Sequence, residues 1–207
     1  MFYRIFSFVC CVVLAFPASA EGAYFKVRGH QLFFDTGRAP SGWDGLDEQF
    51  NDILMLNPEV SEIVLAGPGG DFQTALAMLD VIRLYELNTL VEEPCRSSCA
   101  FLFLGGVERR IASGGRLGFH RVSWLKHDSV MFYRLLQKEL GPDGLQPYQE
   151  WLFEDGEEQA ATLLEEFTQS RVTPEFIVKV LRTPSTEMWY PEVGELLYSG
   201  VITGIVK

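Results

Sequence analysis

Three short segments of the sequence contain residue types that can carry out chemistry at a carbonyl group. They are a glycine-rich turn at residues 67–71, a serine pair between two cysteines at residues 95–99, and a strand-like segment that ends in His120. A serine hydroxyl attacks a carbonyl carbon when a histidine removes its proton, and backbone N–H groups stabilise the oxyanion that forms. The three segments are therefore candidates for an oxyanion site, a nucleophile and a general base.

The glycine-rich turn has the sequence Gly67-Pro68-Gly69-Gly70-Asp71 and separates a predicted strand from a predicted helix. Glycines lack a Cβ atom, so their N–H groups can point outward at the start of a helix, where the helix dipole is positive. The alternative interpretation is a tight turn in which Asp71 caps the helix. No Lys-Ser or Lys-Thr pair follows the glycines, so the segment is not a P-loop for phosphate.

The serine pair, Ser97 and Ser98, precedes an apolar segment at residues 100–104. A hydroxyl at this place acts either as a nucleophile or as the N-cap of a helix. Cys95 and Cys99 flank the pair, and one helical turn brings such residues within the roughly 7 Å that a disulfide allows between Cα atoms. We expect a disulfide that holds the backbone around the serines. A redox-active pair is the weaker alternative, because the spacing is not Cys-x-x-Cys.

His120 is one of three histidines and stands at the end of an apolar segment. An imidazole at such a position is a candidate general base, and a purely structural role is the alternative. His30 falls in a predicted hairpin and His127 in a polar stretch, so neither has a comparable context. We therefore select His120 as the candidate base.

The first twenty residues have the features of a signal peptide. Arg4 is followed by an apolar run at residues 5–16 and by the small residues Ala18-Ser19-Ala20. The run is about a dozen residues long, whereas a bilayer core needs roughly 20, and cleavage is expected after Ala20. The sequence thus predicts a periplasmic or secreted protein with no stable membrane span after cleavage.

Composition limits the classes of function that fit the chain. The chain has 207 residues, 47% of them hydrophobic, and 17 basic against 28 acidic residues give a net charge of -11. We expect one domain at residues 21–207, and the excess of acidic residues argues against nucleic acid as a partner. Cys10 and Cys11 lie in the signal peptide, and the cysteine spacing matches no zinc site. We expect no metal and no other cofactor.

Alternating patterns of hydrophobic residues predict strands and helices in succession. The strand-like segments are residues 24–34, 63–66, 89–91 and 118–120, and the helical ones between them are 47–56 and 72–87, with 100–104 helix or strand. Such alternation favours parallel β-α-β units. The C-terminal half is predicted to be helical over 130–180, with breaks at 141–144 and Gly156, and to end in a helix and a strand within 192–205.

The order of these segments resembles the proteolytic subunit of Clp protease and the wider ClpP/crotonase superfamily. Residues 65–82 (LAGPGGDFQTALAMLDVI) are similar to that family's strand, Pro-Gly-Gly turn and helix, and residues 97–106 (SSCAFLFLGG) to its nucleophile helix. The stretch from Arg109 or Arg110 to His120 is similar to the one that ends in the catalytic histidine. The likeness is greatest to secreted ClpP-like proteins with a Cys-x-Ser-x-Cys element. It implies an α/β fold, a β-α-β superhelix with a parallel sheet and a helical C-terminal region.

The resemblance also implies a role for each site residue. Ser97 takes the position of the nucleophile and His120 that of the base, and the N–H groups of Gly70 and Ser98 take those of the oxyanion donors. Glu187 aligns where the family has the aspartate that orients the histidine, and a carboxylate of either kind can do so.

Two parts of the chain set limits on the resemblance. Residues 163–177 look like the helix pair that precedes the third catalytic residue, but residues 121–160 have no counterpart in the family. That region helps to build the ring and channel of the Clp subunit, whose ATP-driven partner is not available outside the cytoplasm. We therefore do not carry over a ring assembly, and the sequence does not determine an oligomeric state.

These observations leave three hypotheses. The first is a periplasmic or secreted serine hydrolase of peptidase type that acts on a peptide or protein substrate. The second is a non-catalytic binding or scaffold protein that keeps the fold and the disulfide. The third is acyl-CoA chemistry as in crotonases, which is disfavoured because coenzyme A is not expected outside the cytoplasm.

Overall fold

The computed structural model of the chain describes residues 24–122 and 126–206. The predicted signal peptide, its cleavage after Ala20, and the leader cysteines Cys10 and Cys11 lie outside the described residues. Within those two ranges, no helix combines the length and apolar character needed to cross a bilayer.

Within the described ranges, seven strands form one sheet, in the order β1-β2-β3-β4-β5-β7, with β6 paired to β4. The strands are β1 (Phe25–Arg28), β2 (Gln31–Asp35), β3 (Glu62–Gly67), β4 (Asn88–Arg96), β5 (Arg109–Ala112), β6 (Arg116–Gly118) and β7 (Gly204–Val206). The β1–β2 pair is an antiparallel hairpin, and the remaining pairs are parallel. The predicted parallel β-α-β units are therefore confirmed.

The helices lie between and after these strands. They are α1 (Leu46–Leu56), α2 (Phe72–Leu84), α3 (Ser98–Phe103), α4 (Lys126–Leu140), α5 (Leu145–Gln169), α6 (Pro174–Arg182) and α7 (Val193–Tyr198), with a 3-10 turn at Gly141–Gly144. The predicted break at Gly156 is wrong, because α5 runs through it without interruption. One glycine costs a helix only about 1 kcal/mol, which the rest of a long helix offsets.

Strand β4 divides its pairing between two neighbours, and this division positions the candidate site. Its first part, residues 89–91, pairs with β5, and its last part, residues 94–96, pairs with β6. Cys95 is the register partner of Gly67 on β3, and Arg96 is the register partner of Gly118 on β6. The carboxyl ends of β3, β4 and β6 therefore meet at one edge of the sheet.

Aromatic side chains pack the elements behind this edge. Phe101 of α3 contacts Phe72 and Phe167 edge-on, with ring centroids 5.1 and 5.4 Å apart. Phe119, directly before His120, contacts Phe176 edge-on at 5.2 Å. Such edge-to-face pairs stabilise beyond the area they bury, so α3 and the segment before His120 are held against α5 and α6.

Arg109 at the start of β5 joins the C-terminal elements to the sheet. Its guanidinium is buried and donates hydrogen bonds of 2.9–3.0 Å to four backbone carbonyls, those of Gly106, Ser170, Gly200 and Val201. Burial, together with the charges of Arg83 and Arg171, lowers the pKa of Arg109. The carbonyl at Ser170 is the C-cap of α5, so this one side chain anchors the end of the longest helix.

Candidate active site

The junction between β4 and α3 presents Ser97 in an unusual backbone conformation. Its φ and ψ angles are 55° and -129°, a combination that residues with a Cβ atom seldom adopt and that often marks functional sites. The N–H of Ser97 donates to the carbonyl of Gly118 on β6 at 2.9 Å. Ser97 is the N-cap of α3, but its side chain makes no capping hydrogen bond within the described chain. The hydroxyl is therefore not used to cap the helix, which was the structural alternative.

The predicted disulfide between Cys95 and Cys99 is confirmed, with 5.3 Å between the Cα atoms. Cys95 belongs to β4 and Cys99 to α3, so the bond ties a strand end to the first turn of a helix and not two positions of one helical turn. Both side chains are fully buried. The bond joins the residues two positions before and two positions after Ser97, so it restricts the backbone conformation of this short loop.

Gly69 allows the glycine-rich turn to approach this junction closely. Its φ is 87°, and a Cβ atom there would lie 2.6 Å from the carbonyl oxygen of Arg96 and 2.8 Å from the nitrogen of Ser98. The N–H of Gly69 donates to Thr36 Oγ1 at 2.9 Å. Only glycine fits this position, and its own N–H is already engaged.

Gly70 and Ser98 are joined by a direct contact. The buried Ser98 hydroxyl donates to the carbonyl of Gly70 at 2.8 Å, which sets the orientation of that peptide group. The indole of Trp43 closes the turn from the other side, because a Cβ atom on Gly70 would lie 2.2 Å from its Cε2. Across residues 24–122 and 126–206, no hydrogen bond engages the N–H of Gly70 or of Ser98. The N–H groups of Gly70 and Ser98, the predicted oxyanion donors, therefore have no hydrogen-bond partner among the described residues.

Asp71 also takes the structural role that the sequence offered as an alternative. Its Oδ1 accepts hydrogen bonds from the N–H of Thr74 at 2.8 Å and from Thr74 Oγ1 at 2.9 Å. The turn is therefore a capped helix start as well as a candidate oxyanion site, because the cap uses Asp71 and leaves Gly70 free.

His120 follows a backbone bridge between two segments distant in sequence. Phe119 exchanges hydrogen bonds with Trp189 at 2.9 and 3.0 Å, and the N–H of Arg121 donates to Thr183 at 3.1 Å. The imidazole Nδ1 lies 2.7 Å from the carbonyl oxygen of Arg121. A carbonyl only accepts, so Nδ1 donates in this contact, and in the neutral imidazole that tautomer leaves the lone pair on Nε2.

Glu187 stands two residues before Trp189, which pairs with Phe119, but the side chain of Glu187 is exposed. It lines a separate shallow groove together with Lys179 and Arg182. Within the described chain, no hydrogen bond joins Glu187 to His120, and none joins His120 to Ser97 Oγ. The structure thus brings Ser97, Ser98, Gly70 and His120 together and leaves the Glu187 carboxylate outside that group.

These four residues line one cleft of about 410 Å³. The volume falls within the roughly 300–1,000 Å³ typical of small-molecule sites. Much of the remaining lining is apolar and consists of Ala39, Pro40, Trp43, Phe72, Phe101 and Val122. Helix α5 adds Asp155 and Gln159. In the part of the chain that the structure describes, no group of three or more His, Cys, Asp or Glu side chains can hold a metal ion.

Sequence reasoning missed four residues that shape this cleft: Thr36, Trp43, Asp155 and Gln159. A local signal existed for Thr36, because it directly follows β2, which is parallel to β3 and ends at the same edge of the sheet. No local signal existed for the others. Their positions depend on how a loop and a distant helix fold over the edge.

Comparison with solved structures identifies a protein with a similar fold. No family model matches the chain, and no curated protein matches it. Among solved structures, a mutant of ClpP1 from Listeria monocytogenes is similar, with a TM-score of 0.57 and 13% identity over 86% of this chain and 92% of that chain. At this identity the likeness concerns the fold alone. The chain has a ClpP-like fold, and the predicted fold class is confirmed.

Proposed function

We propose that the chain is a serine hydrolase of peptidase type in which Ser97 is the nucleophile. The observation that carries the proposal is the conformation of Ser97, with φ 55° and no capping bond, in one cleft with His120 and two available N–H groups. A hydroxyl held at a strained junction beside a base and oxyanion donors is the arrangement that acyl transfer needs.

The reaction proceeds in two halves. Nε2 of His120 removes the hydroxyl proton of Ser97 as Oγ attacks the substrate carbonyl, and the N–H groups of Gly70 and Ser98 stabilise the oxyanion. The imidazolium then protonates the leaving amine, so that an acyl-Ser97 ester remains. Water deprotonated by His120 hydrolyses this ester and restores both side chains. The hydrogen bond between Ser97 Oγ and His120 Nε2 forms in the complex with substrate, where catalytic hydrogen bonds tighten.

The orientation of His120 is supported by the contact between its Nδ1 and the Arg121 carbonyl. A backbone carbonyl selects the required tautomer, as a carboxylate does, but carries no full charge to stabilise the imidazolium. Glu187 stays a sequence prediction for the orienting residue, which the Glu187→Gln substitution tests.

The proposal includes export to the periplasm or the medium. The buried bond between Cys95 and Cys99 supports this, because disulfides persist in oxidising compartments and are rare in the cytosol. Intact mass of the exported protein, measured with and without reductant, tests both the cleavage after Ala20 and the oxidised state. Two free thiols before reduction would contradict the assignment.

Covalent labelling with a fluorophosphonate probe tests the proposed function. We expect the folded wild-type protein to be labelled at neutral pH and Ser97→Ala to lose labelling completely, because the probe bonds to the activated hydroxyl. Ser41→Ala is the matched control, since Ser41 is an exposed serine that lines the same cleft. It should be labelled at the wild-type rate.

A folded wild-type protein that stays unlabelled would contradict the hydrolase assignment. That result would favour the second hypothesis, a binding or scaffold protein on the same fold. Circular dichroism and thermal unfolding of each variant establish that it is folded, so that loss of labelling reports chemistry and not stability.

A further inference from the structure

The turn that carries the N–H of Gly70 has little rigidity of its own. Gly69 and Gly70 have no side chains to pack, and glycine populates a wider range of φ and ψ than other residues. An oxyanion donor must nevertheless be held within about 0.5 Å of its working position, because a displaced donor stabilises the transition state less. The position of the Gly70 N–H therefore depends on the groups that bind the turn.

Two buried hydroxyl groups bind the turn on either side of that N–H. Oγ1 of Thr36 accepts a hydrogen bond from the N–H of Gly69 at 2.9 Å. Oγ of Ser98 donates a hydrogen bond to the carbonyl of Gly70 at 2.8 Å. Thr36 is 3% exposed and Ser98 is 4% exposed, so water competes little for either bond. These two hydroxyls, the hydroxyl pair, fix the peptide groups directly before and after the one that carries the Gly70 N–H.

Thr36 connects the turn to the sheet. Its N–H and its Oγ1 both donate to the carbonyl of Ala66 on β3, at 2.9 and 3.0 Å. A hydroxyl that gives its proton to Ala66 presents its lone pairs to the N–H of Gly69, so each bond orients Oγ1 for the other. Gly67 makes this approach possible, because a Cβ atom there would clash with Oγ1. The pairing of β2 with β3 is thereby transmitted to the turn.

Ser98 connects the turn to the nucleophile. It directly follows Ser97, and its own N–H is the second of the two proposed oxyanion donors. Its hydroxyl binds the carbonyl of Gly70, the residue that supplies the first donor. Ser98 therefore carries one donor and restrains the residue that carries the other, so that a single side chain maintains their relative position.

A buried hydroxyl can also serve the fold alone, and Thr89 on β4 is an example. Its Oγ1 donates to the carbonyl of Phe103 at 2.8 Å, and the residue is fully buried. Thr89 is not among the described residues that line the cleft, whereas Thr36 and Ser98 both line it. Their position thus distinguishes the hydroxyl pair from a hydroxyl that only pairs with a backbone carbonyl.

We propose that the hydroxyls of Thr36 and Ser98 position the oxyanion donor of Gly70. The inference rests on the proposed function, since it assigns positioning residues to the same site. Both hydroxyls act through the glycine turn. Their removal should therefore slow the formation of the covalent bond to Ser97 and leave the binding of a reagent nearly unchanged.

Fluorophosphonate labelling at a series of probe concentrations separates these two quantities. It gives the first-order rate constant of bond formation, kinact, and the apparent dissociation constant of the probe, KI. When Ser97 Oγ attacks phosphorus, the P–O bond forms, fluoride leaves and His120 takes the hydroxyl proton. The phosphonyl oxygen gains negative charge in this step and requires the donors that a carbonyl oxygen would require.

Thr36→Val and Ser98→Ala each remove one hydroxyl, and Ser98→Ala keeps the backbone N–H. We expect each substitution to lower kinact by roughly 10–100-fold, less than the 10²–10³-fold that loss of a whole donor costs, and to leave KI within about threefold. Thr36→Ser restores the hydroxyl and should return kinact to within about threefold of wild type. Ser98→Ala decides the matter alone if Thr36→Val does not fold.

Thr89→Val is the matched control, because it removes a buried threonine hydroxyl that also donates to a backbone carbonyl. It should lower the urea midpoint of unfolding, as Thr36→Val does, but keep the wild-type kinact. An equal fall of kinact in Thr89→Val and Thr36→Val would show a general effect of lost stability and would overturn the inference.

The wild-type protein separates the two proposals. If it is folded and not labelled, the proposed function fails and this inference fails with it. If it is labelled, but a folded Thr36→Val or Ser98→Ala variant keeps kinact within threefold of wild type or changes KI alone, only the positioning inference is overturned.

Discussion

The two walls of the cleft are built in different ways. One, the sheet-edge wall, consists of Gly69, Gly70, Ser97, Ser98 and His120. The other, the helical wall, consists of Asp155 and Gln159 on α5. Parallel pairing of β4 with β3 and β6 brings the first together, whereas the second lies on a helix whose fully buried residues, Leu163 and Phe167, are in its C-terminal half.

The two walls differ in how firmly the surrounding structure holds them. The sheet-edge wall is constrained by strand register, a disulfide and a buried aromatic cluster. Such constraint suits catalytic groups, because a misplacement of about 1 Å lowers the reaction rate strongly. The helical wall lies where α5 is largely solvent-exposed; Phe153, for example, is 68% exposed. Near its end, α5 is joined to α2, where Arg83 pairs with Glu166.

Arg109→Met should have the largest effect on stability, because it removes the joint between the walls. Four carbonyls would lose their donor, and we expect the free energy of unfolding to fall by about 3–5 kcal/mol. Urea unfolding followed by circular dichroism measures the change. Arg182→Met, at an exposed position, is the control and should change stability by less than about 0.5 kcal/mol. Equal effects of the two substitutions would show that Arg109 does not join the walls.

The double substitution Cys95→Ala and Cys99→Ala should have a smaller effect on stability and act on one wall only. A loop of about five residues is worth about 2 kcal/mol in the chain-entropy account of disulfides. We also expect fluorophosphonate labelling of the folded variant to slow by roughly tenfold or more, since Ser97 loses its backbone constraint. A labelling rate that stays at the wild-type value would show that register alone holds Ser97.

Glu187→Gln should have the smallest effect. Its side chain is exposed and lines another groove, while the Arg121 carbonyl already accepts from Nδ1 of His120. We expect the rate of fluorophosphonate labelling to stay within about threefold of wild type, whereas loss of an orienting carboxylate costs about 10⁴-fold in a serine protease triad. A loss of that size would establish Glu187 as the third catalytic residue and move part of the machinery off the sheet-edge wall.

Much of the fold and part of the site could be predicted from local sequence. The hairpin around Gly29, the helix after Asp71 and the final strand after Gly200 follow from hydrophobic periodicity and from turn residues. The disulfide was predicted from the spacing of its cysteines, although it joins a strand end to a helix and not two positions of one helical turn. The end of α2 at Leu84, earlier than predicted, and the continuity of α5 through Gly156 did not follow, because packing overrides weak local signals.

The sequence by itself determined which residues carry the candidate chemistry and the order in which they occur. Ser97 between two cysteines, the glycine pair and His120 are all legible along the chain. Only the tertiary structure decided how they meet, through the register of Arg96 with Gly118 and of Cys95 with Gly67.

It also decided that a backbone carbonyl holds His120 and that Asp155 enters the cleft from α5. The physical reason is that parallel pairing and helix packing join segments far apart in sequence. Their relative positions are set by the burial of a shared core and not by any local preference.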